Sequence, residues 1–374
     1  MYPWFAWEVS GVYWIFFCFF YSVVFYVLNI NRIRLTRSSA LLAAVFTASY
    51  VIYCFGFGVF GAIEQLALML TMLIALLLKD GTKVDILNFI TDRLAILMSI
   101  SLFFYGLHFA GVSLPYAFIE SKRLGYEALN YYWFLLVPNF DEFFRFRSVF
   151  AEPGHLSMGL ILLLYANRYN LKNKSVLVLF VSQILTLSLA GYIAMFASLF
   201  ILSFFKASGN PYPRVLLFIG AILLSSIILT SDTESVTHKA ITSRLEFDAA
   251  KGTITGYNRT DPYVDQYFED FLQKDELFFG ASRGEVSDLL RDGGNAGYKV
   301  FLIRFGVIAA IFIVLFFFAA ALKEGLIAVG VFIILMLMLY QNSYPFWFAV
   351  FSSYIFGVAK LRADGRRTKR NRVC

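Results

Sequence analysis

The chain has 374 residues, 59% of them hydrophobic and 19% aromatic but only 15% charged, with a formal net charge of +7. Soluble globular domains average about 45–50% apolar and about 25% charged residues, so a water-soluble fold of this length is excluded. Long apolar runs and a mean hydropathy of +0.70 instead specify an all-α polytopic membrane protein.

A helix rising 1.5 Å per residue needs roughly 20 apolar residues to cross about 30 Å of hydrocarbon. On that measure the sequence predicts eleven spans. The first four lie at 11–30, 40–57, 62–78 and 94–111 and make an N-terminal group, residues 1–111. Met1 to Trp7 have no basic stretch ahead of the first run, so a cleaved signal is not expected and the first helix is retained. A long segment, 112–152, follows, and then spans at 153–169, 175–190, 191–205 and 215–230 within residues 153–230. The sixth and seventh spans abut and also read as one tilted helix, but merging them would put two basic connections on opposite faces. A second long segment, 231–299, precedes spans at 300–322, 325–340 and 345–358 within residues 300–358, and a basic tail, 359–374, ends the chain.

Short cytoplasmic connections carry the excess of Lys and Arg. With the N-terminus outside and the C-terminus inside, every basic connection falls inside, holding 18 of the 32 basic residues against four acids. Both long segments then lie outside. The tail reads as an anchor on anionic lipid and not as a nucleic-acid site.

The outer segments hold the candidate chemistry. In the first, Arg145 and Arg147 precede Glu152, Pro153 and His155 at the mouth of the fifth span. Pro153 suits the first helical position, which puts Glu152 at the cap and His155 in the first turn. A helix N-terminus favours an anion such as phosphate and disfavours imidazolium, leaving His155 able to accept a proton. The same pair also reads as a plain helix cap with a satisfied interfacial histidine. The fifth to seventh spans are short, which predicts a recess near headgroup depth.

The second outer segment has eight basic residues among thirteen acids, so a generic polyanion surface is excluded. Phosphate there would need individually placed arginines, whose planar fork suits phosphate oxygens; each also reads as a solvated or ion-paired residue. After Asp261 and Pro262, the residues Tyr263, Val264, Tyr267, Phe268, Phe271 and Leu272 repeat at helical spacing opposite Asp265, Glu269 and Asp270. This predicts an amphipathic helix on the membrane surface, over a cavity, or packed on the bundle. Arg304, about one turn inside the ninth span, either snorkels outward or reaches the recess. Cys18, Cys54 and Cys374 form neither a disulfide framework nor a metal spacing, and no cofactor or nucleotide fingerprint is present.

The segment FRFRSVFAEPGHLSMGLILL resembles the arginine, Glu-Pro-Ser/Gly-His motif of Wzy-type O-antigen and capsular polysaccharide polymerases. LTLSLAGYIAMFASL, NRTDPYVDQYFEDFLQKDELFFGASRG and GNAGYKVFLIRFGVIAAIFIVLF are similar to later pieces of that family in its order. Gly280-Ala281-Ser282 lacks the second glycine of the family's turn. The resemblance implies a GT-C-like glycosyltransferase of the bacterial inner membrane. It would move a growing glycan from undecaprenyl pyrophosphate onto the non-reducing end of a lipid-linked repeat unit. By position it implies Glu152 and His155 as the catalytic pair, with Arg145, Arg147 and Arg259 on pyrophosphate and Arg244 and Arg283 as approximate counterparts. Implied partners are the lipid-linked donor and acceptor, membrane lipids and a chain-length regulator protein. An O-antigen ligase acting on lipid A core, or a flippase for lipid-linked sugars, is the alternative.

Overall fold

In hydrocarbon each backbone N–H and C=O must find its partner inside the protein, which makes long apolar runs helical. The computed structural model describes residues 11–56, 59–121, 126–131, 134–138, 145–150, 152–204, 211–230, 247–248, 253–254, 262–282, 284–286, 289, 297–323, 325–341 and 345–370. In chain order the elements are α1 (Gly11–Asn29), α2 (Arg37–Phe55), α3 (Val59–Leu77), α4 (Asp80–Phe109), β1 (Ala117–Ser121), β2 (Tyr126–Tyr131) and β3 (Leu135–Pro138). They continue with α5 (Pro153–Ala166), α6 (Lys174–Leu185), α7 (Leu189–Phe204), α8 (Tyr212–Thr230), β4 (Phe247–Asp248), β5 (Thr253–Ile254), α9 (Pro262–Phe271), α10 (Tyr298–Leu322), α11 (Leu326–Gln341) and α12 (Phe348–Arg370).

Each predicted span overlaps one of these helices. Among the described residues three are long and apolar enough to cross a membrane: Arg37–Cys54, Asp80–Phe109 and Tyr298–Leu322. Shorter apolar helical stretches lie at Phe16–Arg32, Gln65–Leu77, Pro153–Ala166, Lys174–Leu185, Leu189–Phe204 and Leu326–Tyr340. Large side chains such as Phe16, Phe20 and Leu28 on α1 and Phe218 on α8 are exposed, as lipid-facing surface requires and a water-soluble surface avoids. The chain is a helical membrane protein.

Two compact units are distinguishable. One covers Val84–Ile254 and the chain end from Asp364. In it α5 packs against α6 and α7, and α7 against α8. Its strands β1, β2 and β3 form an antiparallel meander with Ala117 opposite Asn130 and Tyr131 opposite Leu135; β4 and β5 form a two-stranded ribbon. These small sheets are additions to the helical body, confined to the two long segments between spans. The sixth and seventh spans are separate helices, divided at Leu187, whose φ is +46°. With 14, 12 and 16 residues, α5, α6 and α7 rise only about 18–24 Å each.

Helix α4 begins at Asp80, well before its predicted span. Apolarity marks only the part of a helix that lipid or core surrounds, whereas Asp80 in the first turn suits the helix dipole. The polar half is held laterally instead, where Asp92 accepts a 2.7 Å bond from the Ser175 hydroxyl at the start of α6; Arg93 lies over Phe89 of its own helix, 5.0 Å from the ring centre.

The other unit covers Ser10–Lys83 and Thr255–Ala363. There α3 packs on α1 and α2, and α10 packs on α2 and α11. Its centre is aromatic: the Tyr50 and Phe346 rings are 4.7 Å apart and Phe46 and Phe351 5.2 Å. Lipid is as apolar as these side chains, so close packing and polar cross-links hold such helices together. Tyr354 donates to the Phe317 carbonyl at 2.6 Å, Ser49 to the Phe312 carbonyl at 3.0 Å, and the hydroxyls of Ser22 and Thr71 bond each other.

At one end of this unit the basic connections meet. Arg34 N–H donates to Leu77 O and Lys79 N–H to Arg32 O. Lys79 Nζ reaches Asn31 O, Lys83 Nζ caps the α3 carbonyl of Leu76 at 2.7 Å, and Arg362 pairs with Asp80 at 3.1 Å. Beyond its predicted span α12 continues through Arg370, so the start of the basic tail is helical.

Candidate functional site

The candidate residues of the first long segment fall in one unit. Residues 145–150 form a strap fixed on three sides. Phe146 N–H donates to Leu185 O at the end of α6, and Leu136 N–H on β3 donates to Ser148 O, both at 3.0 Å. Ser148 Oγ lies 2.6 Å from Ser101 Oγ on α4, whose hydroxyl also donates to Phe134 O at 2.6 Å. The Phe146 ring meets Tyr105 edge-on at 5.3 Å. Ser148 has a φ of +54°, a conformation that costs an L-residue about 1–2 kcal/mol. The Ser148 contacts to β3 and α4 hold it there.

The strap carries the arginines. Arg145 is half-buried and Arg147 is only 3% exposed. A guanidinium taken this far from water is tolerated only when hydrogen-bond acceptors or anions surround it. Phe150 N–H closes a turn onto Arg147 O at 3.0 Å and brings the chain to α5.

Glu152 is the N-cap of α5 and Pro153 its first helical residue, as the sequence predicts. The Glu152 side chain makes no capping hydrogen bond. It faces His155 Nε2 instead, at 3.7 Å, with side-chain exposures of 53% for Glu152 and 23% for His155. The carboxylate is therefore available at the surface of the unit. The two groups share a proton-accepting face at a helix start, where the dipole favours an anion.

Beneath this turn lies a polar layer that the sequence did not reveal. Ser157, 1% exposed, accepts a 2.8 Å bond from Gln183 Nε2 on α6, and Gln183 is fully buried. Its Oε1 has no hydrogen-bond partner among the described residues. Thr186 donates to Gln183 O at 2.8 Å. Gly191 on α7 is pressed against this pair, and a Cβ there would overlap Ser157 Oγ and come 2.8 Å from Gln183 Nε2.

Arg244, Arg259 and Arg283 lie outside the described residues, as does Asp261. Helix α9 is present where the spacing predicted it, starting at Pro262. Its apolar face is not free for lipid: Val264, Phe268 and Phe271 are buried against Val286, Leu289, Val300 and Ile303. Lys299 pairs with Asp265 at 3.0 Å and pins α9 to the start of α10. Tyr263 and Leu272, assigned to the apolar stripe by spacing, are exposed. Burial first, then the Glu285 and Glu276 carboxylates and Tyr263, raise the pKa of the Tyr267 phenol.

Among the described residues no three His, Cys, Asp or Glu side chains are grouped to hold a metal ion. The fold and composition define the class, a polytopic helical membrane protein. No protein-family model, curated protein or solved structure matches the chain.

Proposed function

We propose that this protein is a polysaccharide polymerase of the Wzy type, an eleven-span, GT-C-like glycosyltransferase with the N-terminus and both long segments outside the bacterial inner membrane. The observation that carries the reading is the Glu152–His155 pair, 3.7 Å apart at the start of α5, directly after a strap that holds Arg147 buried. An acid–base pair together with a fixed arginine is what transfer from a phosphate-linked sugar needs. The short α5, α6 and α7 and the cluster of basic connections at one end support the topology.

In the proposed reaction the acceptor hydroxyl oxygen attacks the anomeric carbon of the growing glycan. The bond from that carbon to the pyrophosphate oxygen breaks, and undecaprenyl pyrophosphate leaves with the bonding electrons. Arg145 and Arg147 stabilise the charge that builds on the leaving group. The Glu152–His155 pair takes the proton of the attacking hydroxyl. Arg244, Arg259 and Arg283 are proposed as further phosphate ligands on the sequence resemblance.

The test is complementation of a strain lacking the gene, read as the glycan ladder on a gel. Wild type restores long chains. Glu152→Gln and His155→Ala are each expected to reduce polymer by about 100-fold or more, the lower range for losing a general base, with unchanged protein in the membrane. Normal ladders from both variants would sink the site. A deletion strain that attaches no repeat unit at all, in place of a single one, would make the protein a ligase.

A further inference from the structure

Helix α10 is the most apolar of the three candidate spans, yet it is broken. Gly306 has φ +73° and ψ +173° inside an otherwise helical Tyr298–Leu322, a region of backbone space essentially closed to other residues. A break strands backbone groups that lipid cannot satisfy. Here the turn after α9 satisfies them: Ala281 N–H donates to Ile303 O at 2.7 Å, and Ile308 N–H donates to Phe278 O at 3.2 Å.

Three glycines make the approach possible. A Cβ on Gly280, itself at φ +93°, would stand 2.5 Å from Arg304 O; one on Gly306 would overlap Phe278 O; and one on Gly56, at the end of α2, would lie 3.2 Å from Arg304 O and inside the Phe305 ring. All three contacts close on the residues around Arg304. The backbone of one arginine in an apolar helix is thus gripped from α2, from the turn and from its own helix. Its guanidinium lies 5.9 Å from the Phe305 ring centre, and that ring stacks on Tyr53 at 4.6 Å.

Depth gives the ligand chemistry. Tyr298 stacks on Tyr340 at 4.8 Å, an aromatic pair of the kind that marks a membrane interface. Arg304 follows Tyr298 by six residues, about 9 Å along the axis; with Tyr298 in the interface, that sets it near the boundary between headgroups and hydrocarbon. The neighbouring Lys299 is engaged by Asp265. An ionisable side chain within the membrane on a broken span marks a functional site by default.

We propose that Arg304 is a ligand for a phosphoryl group carried on a lipid at headgroup depth. The preferred source, a prenyl-linked pyrophosphate, rests on the polymerase reading; a phospholipid headgroup offers the same chemistry. The full-length protein in zwitterionic nanodiscs is titrated with farnesyl pyrophosphate and, separately, with phosphatidylglycerol, and bound species are counted by native mass spectrometry. Farnesyl pyrophosphate is expected to bind wild type, with affinity reduced about tenfold in Arg304→Gln, the loss typical of a charged hydrogen bond. Arg304→Lys keeps the charge without the planar fork and guards against misfolding; it is expected to fall between the two. Equal binding by wild type and both variants overturns the proposal and leaves the polymerase reading standing. Arg304-dependent binding of phosphatidylglycerol alone upholds the site and removes support from the polymerase reading. Binding of neither lipid by wild type sinks both.

Discussion

Gly191 has no room for a Cβ in the polar layer under the α5 N-terminus. Its neighbours there, Ser157 and Gln183, are buried and hydrogen-bonded to each other, so an added methyl must displace one of them. Gly191→Ala is therefore expected to destabilise the protein by about 1–3 kcal/mol, the usual cost of overpacking, and to disturb the turn bearing Glu152 and His155. A thermal-unfolding midpoint in detergent equal to wild type would refute it. The residues that sequence reading found, Arg147, Glu152 and His155, stand out because charge and proline interrupt an apolar pattern. Gln183, Ser157 and Ser148 were missed because small and amide side chains inside apolar runs look like ordinary helix-packing residues; only their mutual placement gives them meaning.

At the scale of elements, hydropathy located the helices well because satisfying the backbone in lipid leaves so few choices. It was blind to what is not apolar or not regular. The polar start of α4 gives no hydropathy signal, and the meander β1–β3 lies in a segment where no span is expected. The amphipathic spacing of α9 placed the helix but not its partner, since a protein core and a membrane surface ask for the same stripe. The break in α10 was hidden because glycine scarcely alters mean hydropathy, although Arg304-Phe305-Gly306 inside an apolar run was a visible hint. Gly306→Ala should cost about 1–3 kcal/mol for the forbidden backbone alone, with more from the Phe278 carbonyl. Gly284→Ala, where a Cβ meets nothing within 4 Å, serves as its control and should stay within about 0.5 kcal/mol of wild type. Equal unfolding midpoints for the two variants would show that the break is not needed for stability.

For the whole molecule, the net charge of +7 conceals an uneven distribution of basic residues among the connections between helices. The basic connections of one unit converge, through Lys79 on Asn31 and Arg362 on Asp80, as they must if the loops between α1 and α2 and between α3 and α4 share a membrane face with the start of the tail. Positive charge resists transfer across the membrane, so that shared face is expected to be cytoplasmic. Cys18 and Cys54 are buried, so replacing them and Cys374 with serine gives a background for labelling. Ser282, Leu35 and Lys172 are exposed positions in, respectively, the second long segment, the α1–α2 connection and the α5–α6 connection. Single cysteines are introduced there in cells stripped of any outer membrane and treated with an impermeant maleimide. Ser282→Cys should label at once, and Leu35→Cys and Lys172→Cys only after the membrane is opened. Labelling of Ser282→Cys only after opening would place the second long segment in the cytoplasm, away from lipid-linked donors on the outer face. Labelling of just one of the other two in sealed cells would mean an odd number of spans separates them, and the eleven-span topology would fall.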